Sequence, residues 1–327
     1  MTRRASWLVL LLIGVLVLSG CLLSRERVGL QRVGRARVGV GYRVHVADDL
    51  ALLAHNDGAS VVEVSDPSNP VELAVIDTSE ACFGVFLAES TAYVLDPWNG
   101  LLVVDLSRPT RPERLGTCHG SGFWCDLVVS GGYAYLANRE EGLDVIDVRN
   151  PQAPCIVASY GTEGCEGVTI LGDFAYVAMG GGGVHIVDVS DPESPRFVRT
   201  LSRSRPAVGV HAAGSLLAVA RHASGVVVYD LVDPTSPRYL GTIVSNHEAL
   251  DVWVADGAVA VADNMAGVGL FRSDADRRVI QTGRYETGGA THDVFVADDL
   301  IYLADGARGL VILRPVSEDE NDSVPAS

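Results

Sequence analysis

The chain has 327 residues, 48% of them hydrophobic, and a formal charge of −16 from 41 acids against 25 basic residues, all arginine. Its size and apolar content suit a globular fold with a substantial core. So acidic a balance excludes sequence-independent nucleic-acid binding, which needs a basic footprint.

Residues 1–20 read as an export leader, in which Arg3 and Arg4 precede an apolar run from Trp7 to Leu18. The run is short and early for a membrane span and matches a secretory core region. Leu18-Ser19-Gly20-Cys21 then resembles the bacterial lipobox, which implies that Cys21 becomes the lipid-modified first residue. Each buried methylene is worth about 0.8 kcal/mol, so several acyl chains would hold the protein to a membrane almost permanently. In that pattern Leu22, in place of Asp, favours the outer membrane. The expected location is therefore the bacterial cell envelope, lipid-anchored, at the outer membrane; the alternative is a cleaved secretory signal with Cys21 incidental. Residues 21–29 serve as a linker, within a stretch to Val40 that is unusually basic through Arg25, Arg27, Arg32, Arg35 and Arg37.

From Gly41 the chain repeats. Lines such as SVVEVSDPSNP (Ser60 to Pro70), LLVVDLSRPTRP (Leu101 to Pro112), LDVIDVRNPQAP (Leu143 to Pro154), GVHIVDVSDPESP (Gly183 to Pro195) and VVVYDLVDPTSP (Val226 to Pro237) recur at steps of 41 or 42 residues. Each repeat holds four apolar segments separated by Gly, Asp, Asn and Pro, the pattern of an antiparallel four-stranded meander. A second landmark, the middle of the second segment, falls at Leu52, Tyr93, Tyr135, Tyr176, Ala218, Ala260 and Tyr302, which makes seven copies. Ser-Asp-Pro places a side-chain acceptor before a residue with φ preset for a turn, so it stops the third strand. The second proline opens a fourth strand that must be an edge. Third strands such as Leu101 to Val104 are apolar without alternation, so both of their faces are covered.

Four-stranded units of this length repeated around an axis make a β-propeller. The seventh copy stops at Arg314-Pro315, while Leu30-Gln31-Arg32-Val33-Gly34 looks like the fourth strands Arg238-Tyr239-Leu240-Gly241 and Glu113-Arg114-Leu115-Gly116. The fold class predicted is thus all-β, a seven-bladed propeller over residues 30–315 whose last blade is closed by the N-terminal segment from Leu30 to about Val40. Residues 316–327, with the run SEDENDSVPAS, form an acidic tail expected to be disordered. The line Val184-His185-Ile186-Val187-Asp188 resembles the LVIVD repeat of bacterial and archaeal surface proteins. That resemblance implies the propeller fold and a surface location, and carries no catalytic residues. Tryptophan-aspartate propellers have a similar period but need Gly-His and Trp-Asp pairs, which are absent.

Ligands of propellers usually meet the face where first strands begin and second strands end. Before the first strands stand Arg43, Gly84, Asp126, Gly167, Gly209, Asp251 and Asp293, and one residue earlier Tyr42, Phe83, Cys125, Glu166, Val208, Leu250 and His292. After the second strands stand His55, Asp96, Asn138, Met179, Arg221, Asp263 and Asp305. Asp251, Asp263, Asp293 and Asp305, with His247, Glu248 and His292 nearby, are expected to converge as a mouth for a cation or amine, since hard cations take oxygen ligands. The competing reading makes Asp263 and Asp305 turn residues. Trp98, Phe123 and Trp124 form a second sector, offering flat faces to sugars or partner side chains, or else packing under their loops. His45 and His211 occupy one equivalent position and read as packing between blades. Cys82, Cys118, Cys125, Cys155 and Cys165 match no zinc pattern and, being odd in number, cannot all pair; a disulfide between neighbouring blades competes with inert packing.

No serine elbow, zinc-binding helix or phosphate loop is present. The favoured function is a non-catalytic binding platform for an envelope protein or glycan, tethered to the membrane through Cys21, monomeric and without a required cofactor. A divalent cation is a candidate cofactor at the acidic mouth, which an amine could also occupy. The alternative is a propeller lyase or hydrolase using that mouth.

Overall fold

The computed structural model describes residues 27–161, 163–273 and 278–317. The leader, Cys21 and nearly all of the expected linker and acidic tail lie outside the described residues. The described chain forms seven four-stranded antiparallel sheets, each built from consecutive strands except the last. In that blade Thr291–Ala297, Leu300–Asp305 and Leu310–Ser317 are joined by the N-terminal strand Val28–Ala36, which pairs from Val28 opposite Ser317 to Ala36 opposite Leu310. The ring is closed by the first described strand lying beside the last, and the pairing reaches two residues further at each end than residues 30–315.

The missing alternation in the sequence has a direct cause. Leu52 and Leu53 are both fully buried, yet Leu53 packs with Leu310 and Ile312 of blade 7, and Leu52 with Val94 and Leu102 of blade 2. Successive side chains in a strand point to opposite faces, and here each face meets another blade. Seven apolar clusters result, one for each interface between neighbouring blades. Each buried Leu or Val contributes about 1.5–3 kcal/mol.

The repeated aspartate of the third strand is a strand stop. Asp105, Asp147, Asp188 and Asp230 accept the backbone N–H of Ser107, Arg149, Ser190 and Val232 at 2.8–3.0 Å. That bond turns the chain toward the proline. In all seven blades the outermost strand then carries a one-residue register shift, at equivalents of Leu73, Leu115, Val157, Val198, Leu240, Thr282 and Val33. Such bulges raise the local twist and swing the outer strand around the blade. Gly34 follows its bulge because the next blade's proline turn abuts it: a Cβ there would strike the Pro67 carbonyl.

Candidate functional site at the channel mouth

The innermost strands Arg43–Ala47, Val85–Ala88, Trp124–Ser130, Gly167–Leu171, Gly209–Ala213, Asp251–Ala255 and Thr291–Ala297 surround the axis. Arg43 lies within it, one guanidinium nitrogen 3.5 Å from Asp251 Oδ2 and 3.5 Å from Asp293 Oδ1. Burial opposes its charge, but Asp126, Asp251 and Asp293 outweigh burial and raise its pKa. Asp251 is pushed well above the usual carboxylate range by burial and then by Asp293, with which it shares a hydrogen bond, so Asp251 keeps its proton. Burial likewise raises Asp126, with Arg43 acting against it. The carboxylates also reach across blades: Asp293 Oδ2 accepts Val44 N–H at 2.7 Å and Asp126 Oδ2 accepts Val168 N–H at 3.0 Å. This layer is therefore a knot that ties blade 7 to blade 1 and blade 3 to blade 4.

Two residues further along each strand a second ring crosses the axis, made by His45, Phe86, Val128, Thr169, His211, Trp253 and Phe295. His211 stacks on Trp253 with centroids 3.8 Å apart, Trp253 lies 4.2 Å from Phe295, and His45 sits 4.6 Å from Phe295 and 4.1 Å from Phe86. Each histidine accepts a backbone N–H of the next blade on Nδ1, from Leu87 at 3.3 Å and Val254 at 3.0 Å. Burial lowers His45 to about 4 and His211 to about 3, so both are neutral acceptors. Between the two rings a cavity of about 90 Å³ remains.

Above Arg43 the channel opens as a cup of about 300 Å³. Four rings line one half: Tyr42 stacks on His292 at 5.6 Å and tilts against Phe83 at 5.7 Å, and Phe83 meets Phe123 at 5.3 Å. Glu166, Val208 and Leu250 form the rest. Arg139 lies over the Phe123 ring at 5.3 Å and pairs with Glu166 at 2.7 Å. His292 is held by the Gly41 carbonyl at 3.0 Å. Register shifts at Trp124/Asp126 and Thr291/Asp293 turn Cys125 and His292 toward the cup while the following aspartates face the axis.

Of the acidic residues read from the sequence, Asp251, Asp293 and His292 reach the axis, and Asp263 and Asp305 do not. Asp263 accepts from Ser245 Oγ and from the N–H groups of Asn246 at 2.9 Å and His247 at 3.2 Å. Asp305 Oδ1 accepts from Thr287 at 2.8 Å and Thr291 at 2.9 Å. Both tie the turn after the second strand to the loop arriving from the previous blade. Asp96 does the same in blade 2, where bonds from Asn99 and Ser79 overcome burial and bring it down to about 2. The four aspartates therefore do not converge, and among the described residues no group of three or more His, Cys, Asp and Glu could hold a metal ion. Of the tryptophans, Trp98 is 72% exposed, whereas Trp124 is buried against Gly120 with its N–H on Asp144 at 2.6 Å. They form no common surface. All five described cysteines are free, and only Cys155 among them is exposed.

Three residues of the site escaped the sequence reading as actors: Arg43, Tyr42 and Phe83. The signal for Arg43 was available, since it is the single cation in a ring that also holds Asp126, Asp251 and Asp293. Tyr42, Phe83 and His292 stand at one aligned position in three consecutive blades of the closed ring, a signal the predicted closure made available, and the structure adds that their rings meet.

The family model described as LVIVD repeat matches residues 39–78, 84–119, 121–162, 165–201 and 288–313. The unmatched interval 202–287 forms two further blades of the same ring. No curated protein matches the chain. Among solved structures the chain is similar to U3-55K, with a TM-score of 0.69 at 13% identity, covering 88% of this chain and 98% of that one. It is similar also to the RRP9 WD40 repeats, with a TM-score of 0.68 at 12% identity, over 88% of this chain and 97% of that one. PorZ of Porphyromonas gingivalis, described as an essential bacterial surface component of the type-IX secretion system, gives a TM-score of 0.60 at 13% identity, over 91% of this chain and 39% of that one. At such identities the likeness is one of fold.

Proposed function

The chain belongs to the LVIVD repeat family, and from that premise we propose that it is a non-catalytic binding platform of the bacterial cell envelope, contacting a protein or glycan through the channel mouth. One observation carries this reading. The mouth presents aromatic faces, while the polar groups of the channel are committed to one another: Arg43 lines both the cup and the inner cavity, and Asp126, Asp251 and Asp293 line only the latter. Flat rings in a half-open cup suit the face of a sugar or an apolar side chain of a partner. Trp98, exposed on a second-to-third-strand loop at the same end, extends that surface. In this reading His292 contacts the ligand, Asp251 and Asp293 hold the floor, and Trp124, Asp263 and Asp305 set the loops around it.

The proton on Asp251 beside Asp293 is what an acid catalyst would require, but Arg43 stands between that pair and the cup. The envelope location rests on the leader and on Cys21 as the lipidated residue; PorZ is a bacterial surface component of the same fold. Capture of partners from envelope extract by the full chain, alongside Tyr42→Ala/Phe83→Ala, tests the mouth. A partner enriched by the first and lost from the second supports it; identical capture by both removes the mouth as the contact surface.

A further inference from the structure

The aromatic mouth and the aspartate-bound loops leave one charge feature of the molecule unused. Residues 27–40 contain four arginines and no acid, whereas residues 41–327 contain 18 arginines against 40 acids. The fold lays this basic stretch on the outside of blade 7, because Val28–Ala36 is the edge strand of that sheet and pairs with Leu310–Ser317 alone. Arg27, Arg32 and Arg37 are exposed there and Arg35 is half-buried. Desolvation and then the nearby charges of Arg37, Arg308 and Arg32 lower the Arg35 pKa, outweighing the opposite pull of Asp305, so that the arginines dominate the local field. Some exposed arginines elsewhere lie beside carboxylates, as Arg149 does Asp147 and Arg238 does Asp230, and others meet hydroxyls, as Arg114 does Thr117 and Arg199 does Ser236. Among the described residues Arg27, Arg32, Arg35 and Arg37 have no such ion pair.

Position sharpens the point. The strand starts at the outer edge between blades 6 and 7, where the Val28 carbonyl abuts Gly283. A polar cleft of about 350 Å³ at this junction is lined by Arg27, Gln281, Thr282 and Arg284. Arg27 lies six positions after Cys21, a reach of about 20 Å when fully extended. A lipid on Cys21 would thus hold the membrane within reach of this edge.

We propose that the closing strand of blade 7 is a second membrane contact, in which Arg27, Arg32, Arg35 and Arg37 seat that edge of the propeller on the phosphates of an anionic lipid surface. The orientation it imposes rests on the lipid anchor proposed above; the binding chemistry does not. Polybasic segments beside an anchor act in this way, each arginine adding affinity for an anionic surface and losing it as salt is raised.

The test uses the full chain with Cys21→Ser, which removes lipid attachment while keeping the leader common to every variant. Co-flotation with vesicles of phosphatidylcholine alone, or mixed with phosphatidylglycerol, is measured at rising salt. An excess of association with the mixed vesicles over the neutral ones, weakened about fivefold by each of R27Q, R32Q and R37Q and unchanged by R114Q, is the expected result, the leader contributing equally to every variant. Arg114 is the right control because it occupies the position of Arg32 on the edge strand of blade 2. Equal association with both vesicles, or no loss in the arginine variants, overturns the proposal. Mass analysis of the mature wild-type protein for acyl groups on Cys21 decides the anchor separately, so the two readings fail independently.

Discussion

Asp251 and Asp263 stand in the same blade, at the same end, twelve residues apart, and do unlike things. Asp251 faces the axis, keeps a proton and helps to enclose Arg43. Asp263 turns away from the axis and gathers a loop through Ser245, Asn246 and His247. The same contrast separates Asp293 from Asp305 in blade 7. An acidic cluster counted along the chain is thus two systems in space, one that binds the blades together at their centre and one that shapes the rim of the mouth.

The sharpest break in that comparison is at Arg43. Replacing it by leucine strands buried carboxylates without their cation, and the expected cost is about 3–5 kcal/mol in denaturant unfolding. Adding Asp126→Asn and Asp293→Asn should recover most of it, because with Asp251 protonated the uncompensated charge is then gone. A silent Arg43→Leu would mean that the inner layer is not an ion knot.

Next in size is the pH response of the same channel. His45 and His211 have folded pKa values of about 4 and about 3, below the unfolded value of about 6.5. The unfolded state therefore takes up protons first as pH falls. Stability from these histidines is complete above the unfolded value and is lost as pH drops toward the folded ones, by about 3 kcal/mol for His45. Asp251, being raised, contributes with the opposite sign, its share eroding as pH rises above the unfolded carboxylate range. Stability curves of wild type and His211→Gln should diverge below neutrality, the variant being flatter; parallel curves would show that His211 is not held neutral.

Asp263→Ala removes three hydrogen bonds at one carboxylate, and a loss of about 2 kcal/mol is expected. Amide exchange should quicken at residues 245–247 while the Arg43 layer stays protected; equal quickening at both would merge the two systems. The smallest effect is expected at Trp98, where alanine should change stability by less than about 0.5 kcal/mol and yet weaken capture of the mouth's partner.

Much of the architecture was legible in the residues. The period of 41 or 42 counted seven blades, including the two that the family model leaves unmatched. Val33-Gly34 could be matched to Leu240-Gly241 because the bulge recurs in every outer strand, and in four of them, at Gly34, Gly116, Gly241 and Gly283, a glycine follows it where the neighbouring blade leaves little or no room for a Cβ. Asp251 and Asp293 stand at the axis and His292 in the cup, at the end of the ring to which the aligned repeats assigned them. For Asp263, Asp305 and Trp124 the structure takes the competing readings, turn residues and a ring packed under its loop, since alignment of repeats tells how far along the axis a residue lies and nothing of which way its side chain points.

The sequence by itself determined how many blades form, where each strand stops and which segment closes the ring, because these depend on local turn chemistry and on apolar runs that neighbours must cover. Only the tertiary structure decided that Arg43 is the partner of aspartates more than 200 residues away, and that Tyr42, Phe83, Phe123 and His292 share one cup. Those contacts arise from closure, which brings the first and last blades together, and no spacing along the chain encodes the direction in which a side chain then finds its charge.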